Sequence, residues 1–182
     1  MIRLFVALKI PELVRNGLLE ICREISGNDV SIKWESVEKI HLTLKFIGEV
    51  NNELLDSISD SLSFIRNYKQ INCSINKFDF LFRFKEPKIL WAELKTDESV
   101  FGLVDEFNTK LFDLGIDQEK RKFKPHLTLL RIKKHPGERF INKFKNYSFN
   151  EFKFTTSEVA LIESQLHQSG SIYKEIKNYE LS

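Results

Sequence analysis

The tetrapeptide His41-Leu42-Thr43-Leu44 returns as His126-Leu127-Thr128-Leu129, and the two copies use half of the four histidines in the chain. Each copy lies in a run where apolar and polar residues alternate, IHLTLKFI over 40–47 and HLTLLRI over 126–132. That alternation is the signature of a half-buried strand. Side chains at i and i+2 of a strand share a face, so each copy presents one imidazole and one hydroxyl together and anchors itself by leucines on the other side. If two lobes related by the repeat face each other, two imidazoles and two hydroxyls converge on one point. Such a set suits phosphoryl chemistry at an internal ester. One imidazole takes a proton from water while the other delivers one to the leaving oxygen. An unperturbed pKa of about 6.5 lets imidazole do both near neutral pH. The threonine hydroxyls can donate to the non-bridging oxygens.

A lone His-x-Thr in a strand is an ordinary surface pair, and recurrence is what gives this one weight. His135 and His167 lack such company and read as solvated positions. Lys45 continues the His41–Thr43 face by parity, which places it either beside the same phosphate or as a solvated lysine at the strand end. Residues 120–134 carry Lys120, Arg121, Lys122, Lys124, Arg131, Lys133 and Lys134 with no acid among them. A basic run is usually a solvated face, but beside a phosphate-handling motif it can serve as a track for a nucleic-acid backbone. Phe82 and Phe84, set next to Arg83 and Lys85, can stack on bases or enter the Phe-rich core. Phe123 is assigned to the core.

The elements that must position these residues follow from periodicity. A buried strand is predicted over 2–9, a helix over 12–25 behind Pro11, and a brief strand over 31–34. After the first His-x-Thr strand comes a helix near 52–67, then strands at 71–80 and 88–94 joined by a loop holding Phe82, Phe84 and Pro87. Asp97 begins a third helix carrying Val100, Val104, Phe107 and Leu111, with Gly115 past its end. The second His-x-Thr strand is followed by a short helix within 137–146 and strands at 150–163 and 171–181.

A length of 182 residues, 42% of them hydrophobic, suits one compact domain over 1–182. Twenty-eight basic against 26 acidic residues leave +2, too even to announce a nucleic-acid binder by itself. Cys22 and Cys73 stand far apart with no Cys/His cluster, which argues against structural zinc and fits a reducing cytoplasm. The apolar run Leu4 to Leu8 is shorter than a secretory core of roughly 7–15 residues or a membrane span of about 20. A soluble monomer with no membrane partner, no metal and no cofactor is expected.

These residues resemble the 2H phosphoesterase superfamily, named for paired His-x-Thr motifs, and within it the RNA 2′,3′-cyclic phosphodiesterases, also called RNA 2′-5′ ligase-like enzymes. The similarity runs through IRLFVALKIPE, IKWESVEKIHLTLKFIGEV, KILWAEL, RKFKPHLTLLR and VALIESQLHQSGSIYKEIKNYEL. It implies an α+β fold of two pseudo-symmetric lobes of antiparallel sheet, helices outside and a cleft between. It further implies metal-independent hydrolysis of 2′,3′-cyclic phosphate ends to a 2′-phosphate, on tRNA fragments or other RNA. By the family pattern the general acid falls at His41 and the base at His126, with Thr43 and Thr128 binding phosphate. Reversible 2′-5′ RNA joining is a known second activity of the family. Arg131 matches an arginine that closes the second motif, yet it stands an odd step from His126 and reaches the cleft only if the strand bulges or ends first. Two other readings stay open here. One keeps the site but changes the substrate, to ADP-ribose 1″,2″-cyclic phosphate or to an RNA 3′ end being trimmed. The other is a nucleotide-binding module without catalysis, which the presence of both histidines and both threonines disfavours.

Overall fold

The apolar run near the amino terminus forms β1 (Ile2–Lys9), whose Leu4, Val6 and Leu8 enter the core. Pro11 turns the chain into α1 (Glu12–Ser26), which buries Val14, Leu18, Leu19, Cys22 and Ile25. Gly27 ends the helix at φ +72, a left-handed residue that suits glycine, and the N–H groups of Gly27 and Asn28 close back on Glu24 and Arg23 carbonyls. The computed structural model describes residues 1–168 and 170–182. It continues through β2 (His41–Val50), α2 (Leu55–Ser61), β3 (Ile71–Arg83), β4 (Glu86–Thr96) and α3 (Ser99–Phe112). β5 (His126–Arg131), α4 (Glu138–Lys145), β6 (Phe152–Thr156), β7 (Glu158–His167) and β8 (Gly170–Glu180) complete the chain.

The strands form two four-stranded antiparallel sheets, ordered β2-β1-β7-β8 and β5-β4-β3-β6. This is the α+β arrangement of paired antiparallel sheets that the family resemblance implies. Both His-x-Thr strands, β2 and β5, lie at an edge of their sheet with a single hydrogen-bonded neighbour. Helices cover the sheets from outside. Phe144 of α4 packs on Phe78 and Phe80 of β3, and α1 lies alongside, with Gly17 so close to the Phe152 ring that a Cβ there would come to 3.0 Å. On the other sheet α3 packs against β2, and buried Tyr179 of β8 donates its hydroxyl to the Ser59 carbonyl of α2. One contiguous apolar core draws on both sheets.

Three expectations are corrected. Residues 31–34 form no strand; Trp34 instead packs on Phe144, with ring centroids 6.0 Å apart. The predicted helix over 52–67 is α-helical only over 55–61, between 3₁₀ turns at Asn52–Leu54 and Leu62–Asn67. Serines and aspartates in LDSISDS compete for backbone groups, as when Ser61 Oγ donates to the Ile58 carbonyl. Residues 150–163 are two strands in different sheets, because the chain crosses at Ser157, where Thr156 Oγ1 is tied to the Lys9 carbonyl at 2.6 Å.

Candidate active site

The pairing of the two His-x-Thr strands carries an irregularity at the same position in each. On β1, Lys9 faces His41 and Ala7 faces Thr43, but Val6 faces Lys45, leaving Leu44 as an extra residue. On β4, Glu93 faces His126 and Trp91 faces Thr128, but Leu90 faces Leu130, leaving Leu129 extra. A bulge of this kind shifts every later side chain to the other face. Lys45 is thereby turned away from His41 and Thr43, which corrects its placement by simple parity. Phe46 takes the position on that face, in ring contact with Phe5. The same event brings Arg131, opposite Ile89, onto the face of Thr128.

Lys45 is 3% exposed, and its ammonium donates to Asn108 Oδ1 and to the Asp117 carbonyl, both at 2.7 Å. Burial pushes its pKa down from the usual lysine value. It is a strut from β2 to α3 and the loop that follows it. Lys45→Met, leaving those acceptors unpaired, should cost about 1–3 kcal/mol of stability. Turnover per folded molecule should change by less than about threefold, far below the loss of a positioned catalytic group. Thermal melts and steady-state kinetics on one preparation check both.

The two imidazoles are held by different partners. His126 Nδ1–H donates to the carbonyl of Lys124, two residues upstream, at 2.8 Å, which fixes the tautomer and leaves Nε2 free. The His41 Nε2 lies 3.1 Å from Thr43 Oγ1. Their surroundings differ. His41 stacks on Phe5 at 5.0 Å and meets the Tyr173 ring edge-on at 5.6 Å, whereas His126 is exposed and meets Trp91 edge-on at 5.2 Å. Burial between these rings pushes the His41 pKa down to about 4, and the charges of Arg131 and His126 act in the same direction. Strands β2 and β5, which carry His41 and His126, are in contact with each other.

Arg131 is steered by Glu35, whose carboxylate accepts from Arg131 Nε at 3.0 Å and whose N–H bonds the Leu129 carbonyl at the bulge. Phe5, Glu35, Trp91 and Tyr173 thus contact the candidate residues although no motif marks them. Phe5 alone had a signal, standing on the face of β1 opposite Leu4 and Val6. Of the basic run, Arg121 pairs with Glu119 and Lys124 lies over the Trp91 ring at 4.3 Å. His135 accepts from the Gly137 N–H, and His167 is exposed at the end of β7. Phe123 packs partly buried against Phe101.

In comparison with known proteins, the model for "LigT like Phosphoesterase" matches residues 8–91 and 94–173. The chain belongs to the LigT-like phosphoesterases. Both His-x-Thr copies fall within the matched segments. Among LigT-like relatives, an Archaeoglobus fulgidus protein named RNA 2′,3′-cyclic phosphodiesterase is 30% identical over 180 residues, covering 98% of this chain and 99% of its own. A Thermotoga maritima protein of the same name is 26% identical over 173 residues, covering 94% and 91%. A solved structure from Thermus thermophilus superposes with a TM-score of 0.82 at 24% identity, covering 98% of this chain and 97% of the other, and so shares the fold. No helix among the described residues is long and apolar enough to cross a membrane.

Proposed function

We propose that this protein opens 2′,3′-cyclic phosphates at RNA ends, giving a 2′-phosphate, by acid–base catalysis from two histidines without a metal. The observation that carries this reading is the matched pair of His-x-Thr copies on edge strands that carry equivalent bulges. The relatives named RNA 2′,3′-cyclic phosphodiesterase support the substrate. His126, with Nε2 free, deprotonates a water that attacks phosphorus. The P–O3′ bond breaks, and His41 gives its proton to O3′ as it leaves. Thr43, Thr128 and Arg131 hold the non-bridging oxygens. With a 5′-hydroxyl in place of water, the same steps form a 2′-5′ linkage.

The low pKa of His41 shapes this scheme. In the free protein its imidazole is neutral near pH 7. An arriving phosphate anion favours the imidazolium, so the acid is charged as substrate binds.

Incubation of an RNA ending in 2′,3′-cyclic phosphate with the protein and excess EDTA tests the proposal. Among the described residues no three His, Cys, Asp or Glu side chains are grouped to hold a metal ion. Turnover should be unchanged by the chelator, and the product should carry a 2′-phosphate. Abolition by EDTA and restoration by a divalent ion would sink the two-histidine mechanism. A 3′-phosphate product would mean the other ester bond breaks.

A further inference from the structure

Resting on that reading, we infer that the β3–β4 hairpin tip is a docking site for the body of the RNA, where Phe84 stacks on a base upstream of the cyclic end. The turn between Arg83 and Glu86 is two residues, Phe84 and Lys85, at φ +52 and +63. A loop with both central residues left-handed is a type I′ turn, which favours Asn-Gly because side chains crowd there. Phenylalanine and lysine occupy it at a cost in stability. The side chain so placed is 87% exposed, with the Arg83 guanidinium 5.4 Å above its ring. An apolar ring held outward at a strained position has no folding role to explain it.

Chemistry and continuity choose the partner. Between Phe80 and Trp91 stand Arg83, Lys85 and Lys88 against one acid, Glu86. Cations around an exposed aromatic match phosphates flanking a base. The tip is also continuous with the sheet face that carries Arg131. Leu81 pairs with Ile89 and Ile89 with Arg131, so the three line one face across neighbouring strands. Leu81 is 55% exposed there. Phe84 lies three residues along from Leu81, roughly 10 Å at ~3.3 Å per residue. A chain whose terminal phosphate meets Arg131 reaches Phe84 within a few nucleotides. Phe82 is not part of this surface, since it packs beside Phe80 with the α4 Lys145 over its ring.

The test compares Phe84→Asn with the unaltered protein on two substrates, a 2′,3′-cyclic mononucleotide and an oligoribonucleotide ending in the same cyclic phosphate. Asparagine tolerates the left-handed turn, so the melting temperature should hold or rise. kcat/KM for the oligomer should fall about 10- to 100-fold, the loss of one base–aromatic stack. The mononucleotide should stay within about twofold, and Phe84→Trp should retain oligomer activity. Equal effects on both substrates, or none, would overturn the assignment. So would loss of binding to anionic phosphatidylserine vesicles with oligomer kinetics intact, which would make the tip a membrane contact. If the unaltered protein turns over neither substrate, the proposed function itself is wrong.

Discussion

His126→Ala should lower turnover of a 2′,3′-cyclic phosphate by roughly 10²- to 10⁴-fold, the range for a positioned general base. A substrate with sulfur in place of O3′ should not restore it. The base acts on water, and changing the leaving group does nothing for water. His41→Ala should lose a similar factor on the natural substrate but regain most of it on the 3′-thio one. A thiol pKa is about 8.5, so a leaving thiolate needs little protonation. The pH profile carries a further signature. An essential acid is lost as pH rises through its pKa, and for His41 in the free protein that pKa is about 4. The alkaline limb set by His41 should therefore lie at lower pH in kcat/KM, which reports the free enzyme, than in kcat, where bound phosphate favours the imidazolium. Rescue of His126→Ala instead would exchange the two roles. Rescue of neither would mean that both rings mainly bind phosphate.

Much of this site was legible because strand parity is a short-range property. His41 with Thr43 and His126 with Thr128 need only two residues of regular strand to share a face, and both pairs have it. Parity fails beyond the first irregularity, and Leu44 and Leu129 are where it fails. Nothing in Leu44 or Leu129 as residue types announces a bulge, since leucine fits a regular strand equally well. The expectation for Lys45 was corrected for that reason, while Arg131 reached the face it could not have reached in a regular strand. The flanking aromatics were hidden differently. Phe5 and Tyr173 meet His41 from β1 and β8, elements separated by more than 160 residues, and only tertiary pairing brings them together. The same limit explains 150–163, where one apolar-polar run crosses between sheets at Ser157 with no glycine or proline to mark the break.

The bulges also set the second large expectation, which turns on Arg131. If Leu129 delivers its guanidinium to the face of Thr128, Arg131→Met should reduce kcat/KM by about 10²- to 10³-fold, as loss of a preorganised donor to a developing charge does. Arg131→Lys should recover only part, since an ammonium restores the charge but not the paired donors of the planar fork. A mere ion pair with Glu35, 63% exposed on the arginine side, would be worth little and would predict almost no kinetic effect. Glu35→Gln therefore separates the two views. It removes the pairing charge, leaves the guanidinium on its face, and should cost far less than Arg131→Met. A second readout does not depend on turnover. The Arg131 charge helps hold the His41 pKa down near 4, so in Arg131→Met the His41 ring should titrate at higher pH by nuclear magnetic resonance, while Lys45→Met leaves it in place. An unmoved His41 titration with full activity would place Arg131 outside the site. The bulge at Leu129 would then be a feature of the fold alone.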